Sequence, residues 1–248
     1  GWNQYCPVGG GSCGGGGRAL VGCVAVSMSQ IMHYWRYPLN GQDQSSYIDL
    51  ADSELGESSF GTLSVDFSNS TYDYIDMGDG TSSSEAAALL LYDAGVSVHM
   101  DYGCEGSGAQ VSGGNPSAEY ALENYFMFDG DSLASKRRID VSDDEWIDIL
   151  KNEFNNNRPV IYVGYDPDYG HAWNCDGYDA DLFHMNWGWG GDNNGYFSIN
   201  ELNVGESTFN QFEEILYRIQ PVALNAPNLI LENNLSQEHD GDGDHVIN

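Results

Sequence analysis

Apolar positions along the chain change period part-way. In the first half they recur at helical spacing: Val24, Met28, Ile31, Met32 and Trp35 fall on one face at i, i+4, i+7 and i+8. The seven glycines among residues 9–17 cannot extend that helix backwards, so the pattern predicts a helix from near Gly22 to Trp35 with Cys23 in its first turn. From Pro159 onward the period is two. Val160–Tyr165, His171–Asp176, Leu182–Trp187 and Gly195–Ile199 read as short strands separated by turns rich in Gly and Asp, the pattern of an antiparallel meander.

Between these regions the signals are local. Tyr37-Pro38-Leu39-Asn40-Gly41 breaks the chain, and short strands are expected around Tyr47-Ile48 and Leu63–Phe67. Ser82-Ser83-Ser84-Glu85 is placed to cap a helix through Ala86 to Asp93, with Gly95 as its stop and Val96–Met100 as a strand that holds His99. Pro116 is expected to open a short helix with Ala118, Ala121, Leu122 and Tyr125 on one face. Ser142-Asp143-Asp144-Glu145 is a capping box ahead of Trp146, Ile149, Leu150 and Phe154, and Asn155–Asn157 ends that helix. Helices first and strands later, without alternating βα units, give an α+β fold class.

Charge narrows the function classes. Against 38 Asp and Glu stand 8 Lys and Arg, a formal net charge of −30, which argues against surfaces that track nucleic-acid phosphates or anionic lipid. The one basic run, Lys136-Arg137-Arg138, is expected to form ion pairs. No apolar run reaches the ~20 residues of a membrane span. The sequence begins at Gly1, not Met, so any leader or pro-segment is expected to have been removed or left out.

Five cysteines are an odd number. Cys6 and Cys13 bracket the glycine-rich loop and are one candidate pair; if Cys104 and Cys175 also pair, Cys23 is left as a free thiol in an oxidising compartment. Four cysteines allow three connectivities, and spacing does not choose among them.

The chemistry-bearing candidates follow from these placements. A thiol in the first turn of a helix meets unpaired N–H groups and the positive end of the macrodipole, both of which favour the nucleophilic thiolate. The alternative for Cys23 is a small buried hydrophobe. If the middle hairpin turns between Tyr178 and Asp179, facing residues sum to about 357, which sets His171 beside Asn186 or Trp187. An asparagine amide there would fix one ring nitrogen and turn the other outward, as acid–base work requires; a structural histidine is the alternative. Gln4, by residue type, reads as a surface amide.

Trp2-Asn3-Gln4, Gly22-Cys23-Val24-Ala25, Gln30-Ile31-Met32, Gly170-His171-Ala172, Asp176-Gly177, Asn186-Trp187-Gly188-Trp189-Gly190-Gly191, Phe209-Asn210 and Ile219-Gln220-Pro221 together resemble the streptopain family of secreted, papain-like cysteine peptidases. The resemblance runs over residues 1 to about 221. It implies a papain-like two-lobed fold, with a helical lobe that carries the Cys and an antiparallel β-sheet lobe that carries the His. It assigns Cys23 as nucleophile, His171 as its partner, Gln4 and the Cys23 N–H as oxyanion donors, Asn186 as the residue orienting His171, and Trp187 as the wall or shield behind that contact. Gly170, Trp189 and Gly22 are the substrate-binding candidates. The 148 residues between Cys23 and His171 fall in the ~130–150 range of papain-like enzymes, although the local Cys signature of papain is absent. Two departures stand out: the segment from Gln4 to Cys23 is short and glycine-rich, and the loop near residues 203–208 is trimmed. Both make substrate preference the least transferable property.

The expected organisation is a catalytic domain over 1–221 and an acidic linker or tail over 222–248. The alternating aspartates of Asp240–Asp244 resemble the start of a Ca²⁺ loop whose last ligand would lie beyond Asn248, so a plain acidic tail is the expectation. The sequence thus reads as a secreted, monomeric cysteine endopeptidase acting on protein or peptide substrates, with no cofactor, no metal, no nucleic-acid partner and no membrane attachment. The rival is a non-catalytic secreted module binding glycans or Ca²⁺, with Cys23 buried and structural. On the peptidase reading, the −30 charge should slow cleavage of acidic peptides relative to neutral or basic ones at low ionic strength, over a Debye length of ~8–10 Å at moderate salt. Initial rates on charge-varied peptides across a salt series check this: the gap should shrink as salt rises, and a salt-independent gap would assign the preference to pocket contacts.

Overall fold

A computed structural model describes residues 1–9, 13–50, 59–78, 80 and 82–222. The expected acidic tail, including Asp240–Asp244, lies outside the described residues. The fold is α+β, as the pattern predicts, and its described residues divide into two compact units: those of 1–127 with 171–173, and 128–170 with 174–222.

The first unit is mainly helical. It holds α1 (Gly14–Gly17), α2 (Cys23–Trp35), a hairpin of β1 (Gln44–Asp49) and β2 (Gly61–Asp66), α3 (Glu85–Ser97) and α4 (Ala118–Asn124). The apolar stripe of α2 buries Val24, Met28, Ile31 and Met32, and the helix packs against α3. Removing each such side chain from water stabilises the fold by about 1.5–3 kcal/mol. Aromatic packing completes this core: the Phe67 ring lies 4.8 Å from Tyr125 and 5.6 Å from Phe126. In α4, Ser117 is the cap, one residue past Pro116, and Ala118, Ala121 and Leu122 are buried.

The end of α3 departs from the sequence expectation. Gly95 does not stop the helix; a side chain there would collide with the Tyr102 hydroxyl, so glycine is needed for close packing instead. Termination comes at His99, whose φ of 51° takes the left-handed position. The His99 N–H donates to the Val96 carbonyl at 3.2 Å and the Met100 N–H to that of Gly95 at 3.0 Å, the paired bonds of a Schellman end. Val96–Met100 is therefore a helix end, not a strand. His99 stacks on Tyr47 at 4.6 Å.

The cysteine pairing also differs. Cys13 is bonded to Cys104, with Cα atoms 4.6 Å apart, and Cys6, Cys23 and Cys175 are free. Cys6 and Cys13 are not joined across the glycine loop. Cys6 is buried beside Arg18 and the Tyr102 hydroxyl, with burial pushing its thiol up to about 12. Cys175 is a core residue of a central strand, its thiol pushed well up by burial.

In the second unit, β3 (Ala134–Arg137), α5 (Asp143–Asn155), β4 (Val160–Tyr165), β5 (Gly170–Asp179), β6 (Leu182–Asn186), β7 (Gly195–Ser198), the small hairpin β8 (Asn203–Val204) and β9 (Ser207–Thr208), and β10 (Gln211–Tyr217) follow in order. One six-stranded sheet runs β3-β10-β4-β5-β6-β7, so the expected meander β4 to β7 is present with two further strands beyond β4. The Ser142 hydroxyl accepts from the Glu145 N–H at 3.2 Å, and Trp146, Leu150 and Phe154 are buried along α5. Arg138 donates to both Glu213 oxygens at 2.9 and 3.1 Å, Tyr162 donates to the same carboxylate, and Arg137 pairs with Asp140 at 3.0 Å. Arg137 and Arg138 of the basic run are thus taken up in ion pairs. Arg158 likewise grips the buried Glu153 with two bonds of 2.8 Å.

Hairpin β5–β6 is longer than expected. Its turn lies at Ala180-Asp181, and pairs such as Asn174 with Asn186 and Asp179 with Leu182 sum to 360 and 361, with a bulge between Cys175 and Gly177. Asn186 is paired with Asn174 rather than His171. The left-handed Ala180, at φ 52°, was not a visible turn signal.

One buried carboxyl gives a pH test. Asp93 on α3 is 1% exposed and accepts the Tyr72 O–H at 3.0 Å; burial raises its pKa from 3.8 to about 6, against the Ser70 and Tyr72 hydrogen bonds. A folded-state pKa above the unfolded one means the native state holds the proton more tightly. That contribution is fully present below about pH 4 and is lost as pH rises through about 6. Asp93→Asn keeps the acceptor oxygen without the charge. Denaturation measured from pH 4 to 8 should show its stability gaining on wild type by on the order of 2–3 kcal/mol, with most of the gain by pH 7. A constant difference across that range would mean Asp93 does not change charge there.

Candidate active site

Cys23 is the first residue of α2, and Gly22 is its N-cap with φ 89° and ψ 139°. Glycine takes that conformation without strain, whereas an L side chain would be strained and would run into the Met100 sulfur. No side chain caps the helix; its first internal bond runs from the Val26 N–H to the Gly22 carbonyl at 3.1 Å. The N–H groups ahead of Val26 are therefore left at the helix start. Those of Cys23 and Val24 favour the thiolate of the half-buried Cys23, as does the N–H of Ala172, while burial is the larger effect and raises the thiol above its ordinary value.

Residues 171–173 pack with the helical unit that carries Cys23, although they belong to β5. His171 is nonetheless carried by a strand of the antiparallel sheet. His171 is 8% exposed and stacks on Trp173 at 5.8 Å with 22° between ring planes. The two share a strand face, being two residues apart. The structure therefore puts the Cys23 thiol against the residue next to His171.

Gln4 is exposed, in a turn closed by its own N–H to the Gly1 carbonyl at 3.1 Å. That turn is tied to the segment leading into Cys23, because the Asn3 amide donates to the Ala19 carbonyl at 3.3 Å and Arg18 to the Cys6 carbonyl at 2.6 Å.

The remaining candidates lie in the sheet unit. The Asn186 side-chain oxygen accepts from the Gly188 N–H at 3.1 Å, and the Trp187 N–H donates to the Asn194 side-chain oxygen at 3.0 Å. Trp187 is fully buried, stacked on Trp189 at 5.8 Å and edge-on to Phe197 at 5.3 Å; Trp189 is 37% exposed. Gly170, exposed at the start of β5, lies under the Tyr165 ring, whose Cε1 would be 2.5 Å from any Cβ added there. Among the described residues no group of three His, Cys, Asp or Glu side chains is arranged to hold a metal.

Sequence reasoning missed the Ala172 N–H and the Trp173 ring. The i, i+2 spacing of His171 and Trp173 carried the second; a backbone donor leaves no mark in side-chain identity.

The three free thiols should separate by access. Native protein treated with iodoacetamide should be modified at Cys23, with Cys6 and Cys175 reacting only after denaturation, as 1% and 0% exposure dictate. Peptide mapping should recover Cys13 and Cys104 joined. Native labelling of Cys175, or a Cys6–Cys13 peptide, would contradict the packing described.

Comparison with known proteins identifies the family. The family model described as the Peptidase C10 family matches residues 1–197. The thiol protease/hemagglutinin PrtT of Porphyromonas gingivalis is 32% identical over 246 residues, covering 90% of this chain and 27% of that protein. Streptopain of Streptococcus pyogenes is 32% identical over 220 residues, covering 83% of this chain and 54% of its own length. The chain thus spans about half or less of the curated relatives it matches. Among solved structures, the active wild-type interpain A cysteine protease of Prevotella intermedia superposes with a TM-score of 0.71 at 31% identity, covering 87% of each chain. By the match of its helical unit and most of its sheet to that family model, the chain belongs to the peptidase C10 family of cysteine peptidases.

Proposed function

We propose that the chain is an extracellular cysteine endopeptidase with its catalytic domain in residues 1–221. Membership of a cysteine peptidase family favours this over a non-catalytic binding module. The observation that supports it most is the Cys23 thiol at an uncapped helix start, in the same compact unit as residues 171–173 and on the Ala172 N–H.

In this reading Cys23 and His171 work as a thiolate–imidazolium pair. Burial by itself pushes the Cys23 thiol up, so the three backbone N–H groups do not make the thiolate alone; a cationic imidazole supplies the rest. The thiolate attacks the scissile carbonyl carbon, and the tetrahedral oxyanion is held by the Cys23 N–H and the Gln4 amide. Collapse breaks the C–N bond as His171 gives its proton to the leaving amine. The neutral imidazole then takes a proton from water, whose oxygen attacks the thioester, and release of the acid restores the ion pair. On the family resemblance alone, Asn186 is given the role of orienting His171 and Trp187 that of a shield from water; the observed register pairs Asn186 with Asn174. Gly170, Gly22 and Trp189 contribute to substrate binding, with glycine allowing a peptide backbone to approach closely.

Three substitutions test the reading. Cys23→Ala and His171→Ala should abolish peptide turnover, and His171→Ala should strongly reduce Cys23 alkylation at mildly acidic pH; unimpaired labelling would remove the imidazolium from the mechanism. Gln4→Ala should lower turnover by about 10²–10³ while leaving the Michaelis constant within a few-fold and Cys23 labelling nearly unchanged, because a preorganised donor acts on charge that develops only in the transition state. A fall of less than about fivefold would return Gln4 to the role of a surface amide.

A further inference from the structure

The chain segment Ala19–Gly22, which delivers Cys23, is clamped by a loop with no role in the chemistry above. Met100–Gly108 closes on itself through Asp101 and Gly108, whose N–H groups each donate to the other's carbonyl at 2.9 and 3.0 Å. From inside it the Gly103 carbonyl accepts the Leu20 N–H at 2.9 Å. The Ser107 hydroxyl donates to the Leu20 carbonyl at 2.8 Å and accepts from the Gly103 N–H at 3.0 Å. Both backbone groups of Leu20 are therefore held by this loop, three residues before the nucleophile. Met100 and Ser107 also press on the Cα of Gly22.

Cys104, within the same loop, is bonded to Cys13. Cys13 belongs to a second loop that returns on the chain leading from Gln4: Val8 bridges Arg18, the Gly9 N–H donates to the Gly17 carbonyl at 3.0 Å, and the Ala19 N–H donates to that of Pro7 at 2.9 Å. The disulfide thus joins the loop that fixes the Cys23 backbone to the loop that follows Gln4. One loop thus supports the backbone that leads to the Cys23 N–H, and the other continues from the turn that holds Gln4.

Resting on the peptidase reading above, we propose that Ser107 and the Cys13–Cys104 disulfide are positioning elements of the oxyanion hole, which hold the Gln4 turn and the Cys23 N–H in mutual register. Met100 and Tyr102 anchor one loop in the core, and a covalent link and a hydroxyl clamp carry that anchorage to the other loop and to Leu20. Oxyanion stabilisation is the function most sensitive to it, since a misplacement of about 1 Å can cost on the order of 10²-fold in rate.

The test is a double-mutant cycle in the full chain, scored on turnover of a peptide amide, the Michaelis constant and iodoacetamide labelling of Cys23. Cys13→Ser with Cys104→Ser, and separately Ser107→Ala, should each lower turnover by about tenfold, with the Michaelis constant within about threefold and labelling within about twofold. In a Gln4→Ala background the same changes should cost less than about threefold, because the geometry they protect has already been lost. An equal loss in both backgrounds, no loss in either, or labelling that falls with turnover would overturn the proposal and leave the disulfide a general stabiliser. Ser107→Ala carries the cycle if the disulfide-free variant fails to fold. Failure of the underlying reading is distinguishable: it shows in Cys23→Ala retaining turnover, or in Gln4→Ala alone being silent, before the disulfide is touched.

Discussion

The constraint on which the rest depends is a helix that begins at Cys23 with no side chain capping its first N–H groups. An ordinary helix start recruits a Ser, Thr, Asp or Asn side chain to satisfy those donors, as Ser84, Ser117 and Ser142 do for α3, α4 and α5. Helix α2 has glycine there and no side-chain cap. By the usual scale glycine costs only a few tenths of a kcal/mol relative to such a cap, and it leaves donors that can serve an anion. Such a start has to be fixed from outside. The segment before Cys23 is accordingly held by Gly103 and Ser107, and Gly22 is wedged against Met100.

That requirement explains which parts of the site were legible. Cys23 at a helix start followed from an apolar stripe and a glycine break, two features written in side chains. His171 and Trp173 sat in an alternating run, and their strand was readable. The hairpin register was not, because it was set by a bulge after Cys175 and by Ala180 in a left-handed turn, an identity with no turn propensity. Gly95 misled for a related reason: it marks a close approach of Tyr102 in mid-helix, while the helix ends on His99, a residue rarely chosen for that position. Glycine records that something lies close to the backbone, without saying whether that is a turn or a neighbour.

The same logic separates the found strands from the missed ones. Strands β4, β5 and β6 carry core residues such as Ile161, Trp173, Phe183 and Met185, near-continuous in β4 and β5 and alternating in β6, so their apolar runs revealed them. Strand β3 reads Ala-Ser-Lys-Arg and lies at the sheet edge, where backbone pairing with β10 rather than a buried face defines it. Charge acts similarly. In a chain with 8 Lys and Arg, Arg138 and Arg158 face the buried carboxylates Glu213 and Glu153 instead of water. Removal of either arginine would strand a buried charge, the costly half of such a pair, so the acidic excess is tolerated at the surface but not in the core.

Cysteine pairing brings these arguments together. Proximity in sequence favoured Cys6 with Cys13, yet Cys6 lies under Tyr102 in the core, and Cys13 reaches across 91 residues to Cys104. A link of that span removes far more freedom from the unfolded chain than a short staple would, but loop closure entropy rises only with the logarithm of length. Its placement matters more than its span. One of the two loops it joins holds both backbone groups of Leu20, and the other returns on the chain that follows Gln4, so together they flank the segment that leads into Cys23. A cross-link between well-packed elements would add stability; between these two it sets the position of a helix start.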